Sequence, residues 1–305
     1  MFKIDSSIIF LLALIIGIAF QPLAKLLNHF IEFFIILLLI TSCQKINIQN
    51  ILNEKNNKSY YLVATIFKLI LLPIIIYLIL VLVPFSISKD FIIGAVIVTS
   101  MPVAASAPAI CLTVKGDFIK CQLTMVFSSV FTIFSFPLLM SSILNEHLSN
   151  SGFVIGYQLT LIIFPALIIG LIIKKNFTYI SKKINNGIIG ISTVLLSLII
   201  VGSTNGIASM FIDVSLLSKS LLINIICTLI IFIGVLLFSK ISKNKDLITP
   251  IVSFSIINIG LAVLIAHRWY SNNKEVLFYV STAIIIFCIL PFTISILSKI
   301  LRKDF

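Results

Sequence analysis

The stretch Val98–Asp117 reads VTSMPVAASAPAICLTVKGD and interrupts a run that is otherwise apolar. Within it, Pro102 and Pro108 bracket a series of Ala and Ser residues. Proline has no N–H for the helical ladder, and its ring collides with the preceding turn, so a helix entering this stretch is expected to break near its centre. In hydrocarbon a break frees backbone polar groups, which is tolerated only where protein or a watery cavity receives them. The stretch is therefore expected to be a buried, built feature and not a lipid-facing helix.

The chain around it is apolar throughout. Its 305 residues are 60% hydrophobic and 10% charged, with a mean hydropathy of +1.22. No soluble domain of this length needs so much apolar surface, so the chain reads as an all-α membrane protein with the lipid bilayer as its main partner. The net charge of +12 raises the question of a nucleic-acid partner. The placement of the basic residues argues for loop lysines on one side of a membrane instead, and no nucleic acid is expected.

Cys43, Cys111, Cys121, Cys227 and Cys288 are scattered, odd in number and mostly inside apolar spans, without a CxxC pair. They read as packing residues, not as a disulfide framework or a metal site, and no cofactor is expected. The opening MFKIDSS leads directly into the apolar Ile8–Ala19 with no A-x-A pattern before Gln21, so it is read as a retained first span.

A spanning helix needs about 20 mostly apolar residues. That template yields ten candidates: Ser7–Ala24, Leu26–Ser42, Tyr60–Val83, Phe91–Val114, Phe118–Ile143, Phe153–Ile173, Gly187–Met210, Leu216–Phe238, Leu247–His267 and Val276–Leu297. Only Gln21-Pro22 and Lys25 separate the first two, which suggests a tight hairpin. Ten spans place both termini on one side. Lys3, Lys45, Lys55, Lys58, Lys115, Lys120, Lys174, Lys175, Lys182, Lys183, Lys240, Lys243, Lys245, Lys299, Arg302 and Lys303 then share that side. Lys25, Lys89, Lys219, Arg268 and Lys274 lie opposite. Sixteen against five, with Lys68 inside a span, puts the termini in the cytoplasm of a plasma membrane of the bacterial inner-membrane kind.

The spans also divide into two sets of five, residues 1–152 and 153–305. The fourth span is interrupted at Pro102–Pro108, and the ninth carries the polar run Ser253-Phe-Ser255-Ile-Ile-Asn258-Ile-Gly260. Pro102 and Ser253 lie 151 residues apart, close to half the chain. An odd number of spans per half inverts one half relative to the other. Interrupted spans at matching positions of inverted halves point to a secondary transporter with a site near the midplane. The fold expected is therefore ten transmembrane helices as two inverted five-helix repeats, with the fourth and ninth broken and crossing.

Three segments resemble the bile acid:sodium symporter family. Pro102–Asp117, followed by TMVFSSVFTIFSFP at Thr124–Pro137, is similar to that family's fourth and fifth spans, ending in a basic-Gly-acidic turn at Lys115-Gly116-Asp117. The family's Glu-x-x-x-Gln-Asn-small-Gly-Leu run is matched at Asn258, Gly260 and Leu261, and Pro73 fits its third-span proline. The resemblance implies a panel from spans 1, 2, 6 and 7 that moves against a core of spans 3–5 and 8–10. If the two interrupted spans cross, their half-helix N-termini converge on the midplane and, with Lys68 nearby, favour a small or amphipathic organic anion as substrate.

The resemblance locates the positions at which family members hold sodium, and this chain departs from them. The family's Ser-Asn pair reads Ala107-Pro108, its glutamate falls on Ser253 and its glutamine on Ile257. The two fifth-span hydroxyls fall on Cys121 and Met125, and a slip of one residue brings in only Thr124 or Ser106. Ala, Pro, Ile and Met offer no side-chain oxygen. Coupling to protons, or to no ion, is expected in place of sodium.

A third-span glutamine of the family falls on Lys68, five residues before Pro73. A lysine at mid-depth costs at least about 2.5–3.5 kcal/mol on insertion scales, so one that is kept implies a role. Its ammonium can stand in for a cation or titrate, and the competing reading has it snorkelling along its stem to the interface. Glu32, the one acid in an apolar span, reads either as a proton carrier or partner for Lys68, or as an interfacial carboxylate. Ser255 and Asn258 complete the polar run of the ninth span as candidate substrate or backbone-capping groups.

Two rival readings stand beside this one. An arsenite-type or auxin-efflux-type carrier of the same superfamily is the alternative within transport, the first giving Cys111 a direct role. An intramembrane enzyme needs a paired acid and base or a metal cluster, and no HExxH, GxSxG or paired aspartates occur.

Overall fold

Runs of Leu, Ile and Phe without turn residues leave the backbone one way to satisfy itself in an apolar medium, and the described residues take it: they are helical nearly everywhere. The computed structural model describes residues 6–44, 58–82, 87–144, 151–242 and 246–301. Of the residues singled out above, Lys3, Lys45, Lys55, Lys243, Lys245, Arg302 and Lys303 lie outside these segments.

In chain order the helices are α1 Ser6–Ala19, α2 Gln21–Asn28, α3 Ile31–Cys43, α4 Lys58–Ile66, a π-helical turn Phe67–Leu71 and α5 Leu72–Leu82. There follow α6 Lys89–Thr99, α7 Ala107–Thr113, α8 Phe118–Leu144, α9 Ser151–Asn176 and α10 Thr178–Ser203. The last five are α11 Ala208–Ile212, α12 Val214–Ser242, α13 Ile248–Ser255, α14 Ile259–Trp269 and α15 Lys274–Leu301. Among the described residues there is no strand, only an isolated antiparallel bridge between Val103 and Ile257.

Among the described residues, five uninterrupted helical stretches are long and apolar enough to cross a membrane: Tyr60–Leu82, Phe118–Ile143, Tyr157–Asn176, Val214–Ser242 and Lys274–Leu301. These fall on the third, fifth, sixth, eighth and tenth of the expected spans. The other expected spans are shorter or broken. The division between the first two lies at Phe20, not after Ala24, and there α1 and α2 meet at 107°. Pro22 sits in the first turn of α2, where its missing N–H costs no bond. Gln21 fixes the corner: its amide nitrogen donates to the Gly17 carbonyl at 2.8 Å, and its oxygen accepts from the Gly206 N–H at 3.2 Å. The expected span Gly187–Met210 is also displaced. Its helix starts at Thr178 and ends at Ser203, and the chain turns at Gly206, whose φ of +76° suits glycine.

The chain divides into two compact units. The first comprises Met1–Ile46, Tyr157–Leu222 and Ile259–Cys288. In it α10 packs along α1, α2 and α3. A Cβ at Gly17 would come within 2.5 Å of Thr204 Oγ1, so the absence of a side chain is what lets these helices approach. The second unit comprises Asn47–Gly156, Ile223–Asn258 and Ile289–Phe305. Its centre holds a triad of rings, Phe67, Phe238 and Phe254, with centroids 5.1–6.0 Å apart. Both interrupted stretches, 100–106 and 256–258, belong to this second unit.

Candidate functional site

Helix α6 runs to Thr99 and stops because Pro102 has no N–H to return to Val98. The next residues, through Ser106, leave the helix and meet the break between α13 and α14. Asn258 N–H donates to the Pro102 carbonyl at 2.8 Å, and Ala104 N–H donates to the Ile256 carbonyl at 2.9 Å. Val103 and Ile257 lie antiparallel between these two bonds. The backbone groups that each break frees are thus partly satisfied by the other break. A third bond comes from the side: Val103 N–H donates to Ser128 Oγ at 3.1 Å, while that hydroxyl donates to the Met125 carbonyl of its own helix at 3.0 Å.

The two prolines play different parts. Pro102 ends a helix, whereas Pro108 lies in the first turn of α7, a place where proline is tolerated. Ser106 precedes α7 and is exposed, and its hydroxyl makes no capping bond. Ala107 and Pro108 are buried.

Lys68 lies in the π-helical turn, and Pro73 supplies a physical reason for that turn. An α-helical proline ring would strike the carbonyl four residues back, so a widened turn just before it relieves the collision. Leu72 N–H accordingly reaches back five residues, to the Phe67 carbonyl. The turn carries Lys68 inward, where it is 0% exposed. Its Nζ donates to the Thr99 carbonyl at 3.0 Å. In an unbroken helix that carbonyl would receive Val103 N–H, which here is bonded to Ser128. The ammonium therefore caps the C-terminal end of α6, the end that favours positive charge.

The other expected residues are distributed around the crossing. Ser253 Oγ donates to the Pro250 carbonyl of its own helix at 3.4 Å, and Ser255 Oγ is buried with no hydrogen-bond partner. Asn258 contributes its backbone N–H to the crossing, and Gly260 is buried in the first turn of α14. On α8, Thr124 donates to the Lys120 carbonyl at 2.8 Å. Cys121 is buried one turn earlier, and Cys111 Sγ donates to the Asp117 carbonyl at 3.5 Å. Cys111 and Cys121 belong to the Lys115-Gly116-Asp117 turn rather than to the crossing. There Asp117 N–H donates to Thr249 Oγ1 at 2.8 Å, and Thr249 is in turn bonded to Asp246.

Glu32 does not belong to the unit that holds the crossing. It lies in the first unit, half-exposed in the first turn of α3, and its carboxylate pairs with Arg268 at 2.7 Å. His267 meets the Ser203 carbonyl at the end of α10 at 3.2 Å.

Sequence reasoning missed Thr99, Ser128, Asp246 and Thr249. Asp246 was legible: an aspartate just before an apolar run is an N-cap signal, and its Oδ1 accepts from the Ile248 and Thr249 N–H groups at 3.0 and 3.2 Å. Thr99 acts through a backbone carbonyl, which carries no signal in the side-chain sequence.

Residues 32–210, more than half of the chain, match the model of the Sodium Bile acid symporter family. The matched range includes the first break and Lys68 and ends before the second break. No curated protein matches the chain.

Proposed function

The chain belongs to the sodium bile acid symporter family, a family of membrane transporters, and we propose that it carries a small or amphipathic organic anion without coupling to sodium. The observation that carries this reading is the Lys68 ammonium bonded to the Thr99 carbonyl beside the crossing. Sodium wants several hard oxygen ligands, and by resemblance the positions that would supply them are Ala107, Pro108, Cys121, Met125, Ser253 and Ile257. Of these only Ser253 has a side-chain oxygen. A fixed cation at the end of α6 serves where a mobile one would otherwise be needed. No acidic side chain pairs with it among the described residues, and this leaves its charge available to an anion.

In this reading the chain forms ten spans in two inverted repeats, 1–152 and 153–305, with a panel of spans 1, 2, 6 and 7 moving against the rest. It lies in a plasma membrane with both termini in the cytoplasm, as the sixteen-to-five placement of basic residues favours. The driving force is a proton gradient, exchange for a second anion, or the anion's own gradient.

The test is uptake of radiolabelled cholate and hexanoate by proteoliposomes, with sodium replaced by choline at constant ionic strength. Equal uptake in the two buffers is expected. Uptake abolished by choline would overturn the reading, and an imposed pH gradient then separates proton coupling from the other two forces.

A further inference from the structure

Buried hydroxyls on membrane helices ordinarily donate back to a carbonyl three or four residues earlier. Thr99, Ser100, Thr124, Ser128 and Thr132 all do so around the crossing. Thr65 and Ser255 do not: both hydroxyls are buried and neither has a hydrogen-bond partner. An orphaned buried hydroxyl is costly, so two of them on the segments that pack around one buried lysine form a pattern that calls for a ligand.

Their placement ties them together. Thr65 precedes Lys68 by three residues, a spacing that puts helical side chains side by side. Phe67, the residue before Lys68, stacks on Phe254, the residue before Ser255, with centroids 6.0 Å apart. Phe238 closes against both rings at 5.5 and 5.1 Å. This packing holds the segments bearing Lys68 and Ser255 against each other within one unit. Lys68 has three N–H groups, of which Thr99 accepts one. Lys68 offers donors only, and the hydroxyls of Thr65 and Ser255 can turn their O–H toward the same ligand, with no carboxylate among the three, a combination that suits an anion.

We propose that Thr65, Lys68 and Ser255 hold the carboxylate of the transported molecule. One cation with two neutral hydroxyls balances a single negative charge. A doubly charged phosphate would leave one charge uncompensated in a buried setting, and the site excludes it on that ground. The assignment rests on the reading of the chain as a sodium-independent anion transporter, and it names the groups that recognise the substrate.

The experiment is concentration-dependent uptake of radiolabelled cholate and hexanoate into sodium-free proteoliposomes by the wild type, Thr65→Val and Ser255→Ala. Each variant loses one hydrogen bond to a charged group, so the half-saturating concentration is expected to rise about tenfold or more. Thr65→Ser and Ser255→Thr, which keep the hydroxyl, are expected to stay near the wild-type value, and Thr65→Ala or Ser255→Gly replaces the corresponding hydroxyl-deleted variant if that fails to reconstitute. Cholate methyl ester and phenyl phosphate are expected not to compete. Unchanged half-saturation in both hydroxyl-deleted variants, with wild-type uptake independent of sodium, overturns this site and leaves the proposed function standing. Competition by phenyl phosphate equal to that by hexanoate also overturns it. Wild-type uptake that requires sodium, or uptake of neither probe, overturns the proposed function and the site with it.

Discussion

The Lys68 ammonium donates to the Thr99 carbonyl at 3.0 Å, in the place that Val103 N–H would occupy if α6 continued. A side chain from one helix thus completes the broken end of another, and it does so with an amine in place of a main-chain N–H. The relationship follows from three sequence features acting together. Pro102 ends α6 and frees the carbonyl, Pro73 accompanies the π-helical turn, and that turn carries the lysine inward.

Ser128 is expected to be a stability residue of the crossing. Its hydroxyl is the acceptor for Val103 N–H, and Ser128→Ala leaves that buried donor without a partner at a cost of about 1–3 kcal/mol. Thermal unfolding of the detergent-purified protein should show a lowered midpoint for Ser128→Ala and a smaller change for Ser128→Thr. Equal midpoints for Ser128→Ala and the wild type would show that the hydroxyl does not hold the break.

Gly116 should be intolerant of a side chain for a specific reason. A Cβ there would lie 2.6 Å from Cys111 Sγ and 3.2 Å from both Ile248 Cγ2 and Thr249 Oγ1. Gly116→Ala is expected to destabilise the protein by about 1–3 kcal/mol through overpacking. Adding Cys111→Ala removes the nearest atom, so the double variant should be more stable than Gly116→Ala alone. Strictly additive effects in that double-mutant cycle would contradict the packing described for the turn.

Glu32 should be dispensable for proton movement. Its carboxylate is half-exposed and paired with Arg268, and pairs of this kind contribute about 0–1 kcal/mol. Glu32→Gln is expected to leave the pH dependence of uptake unchanged while lowering the unfolding midpoint slightly. Loss of pH-driven uptake in this variant would restore the proton-carrier role.

These predictions draw unequally on sequence and structure. Pro102 and the Ser253–Gly260 run announced two breaks, because proline and polar residues inside an apolar span have no packing use in lipid. That the breaks pair through Asn258 and Pro102, and Ala104 and Ile256, is a tertiary fact between segments some 150 residues apart, and no local pattern encodes it. Lys68 stood out as a charge in an apolar run, but its partner is a main-chain carbonyl, and every residue has one. Pro108 was read as part of the break although it opens α7, since proline composition alone does not tell the end of one helix from the start of the next. The corner at Phe20 fell a few residues before the expected one because Gln21 bonds to Gly17 and Gly206 instead of facing lipid. The start of the helix at Thr178 was hidden by its polar first turns, which are helical without being apolar enough to span.

The central claim is that the Lys68 ammonium takes the place of a coupling cation. It is tested most directly by measuring cholate and hexanoate uptake against sodium concentration for the wild type and Lys68→Ala in matched proteoliposomes. The wild type is predicted to give a flat response from zero sodium upward. Lys68→Ala, reconstituted in equal amount, is predicted to be inactive or to need an added cation. A wild-type rate that rises saturably with sodium, or a Lys68→Ala rate equal to that of the wild type without any cation, would contradict the claim.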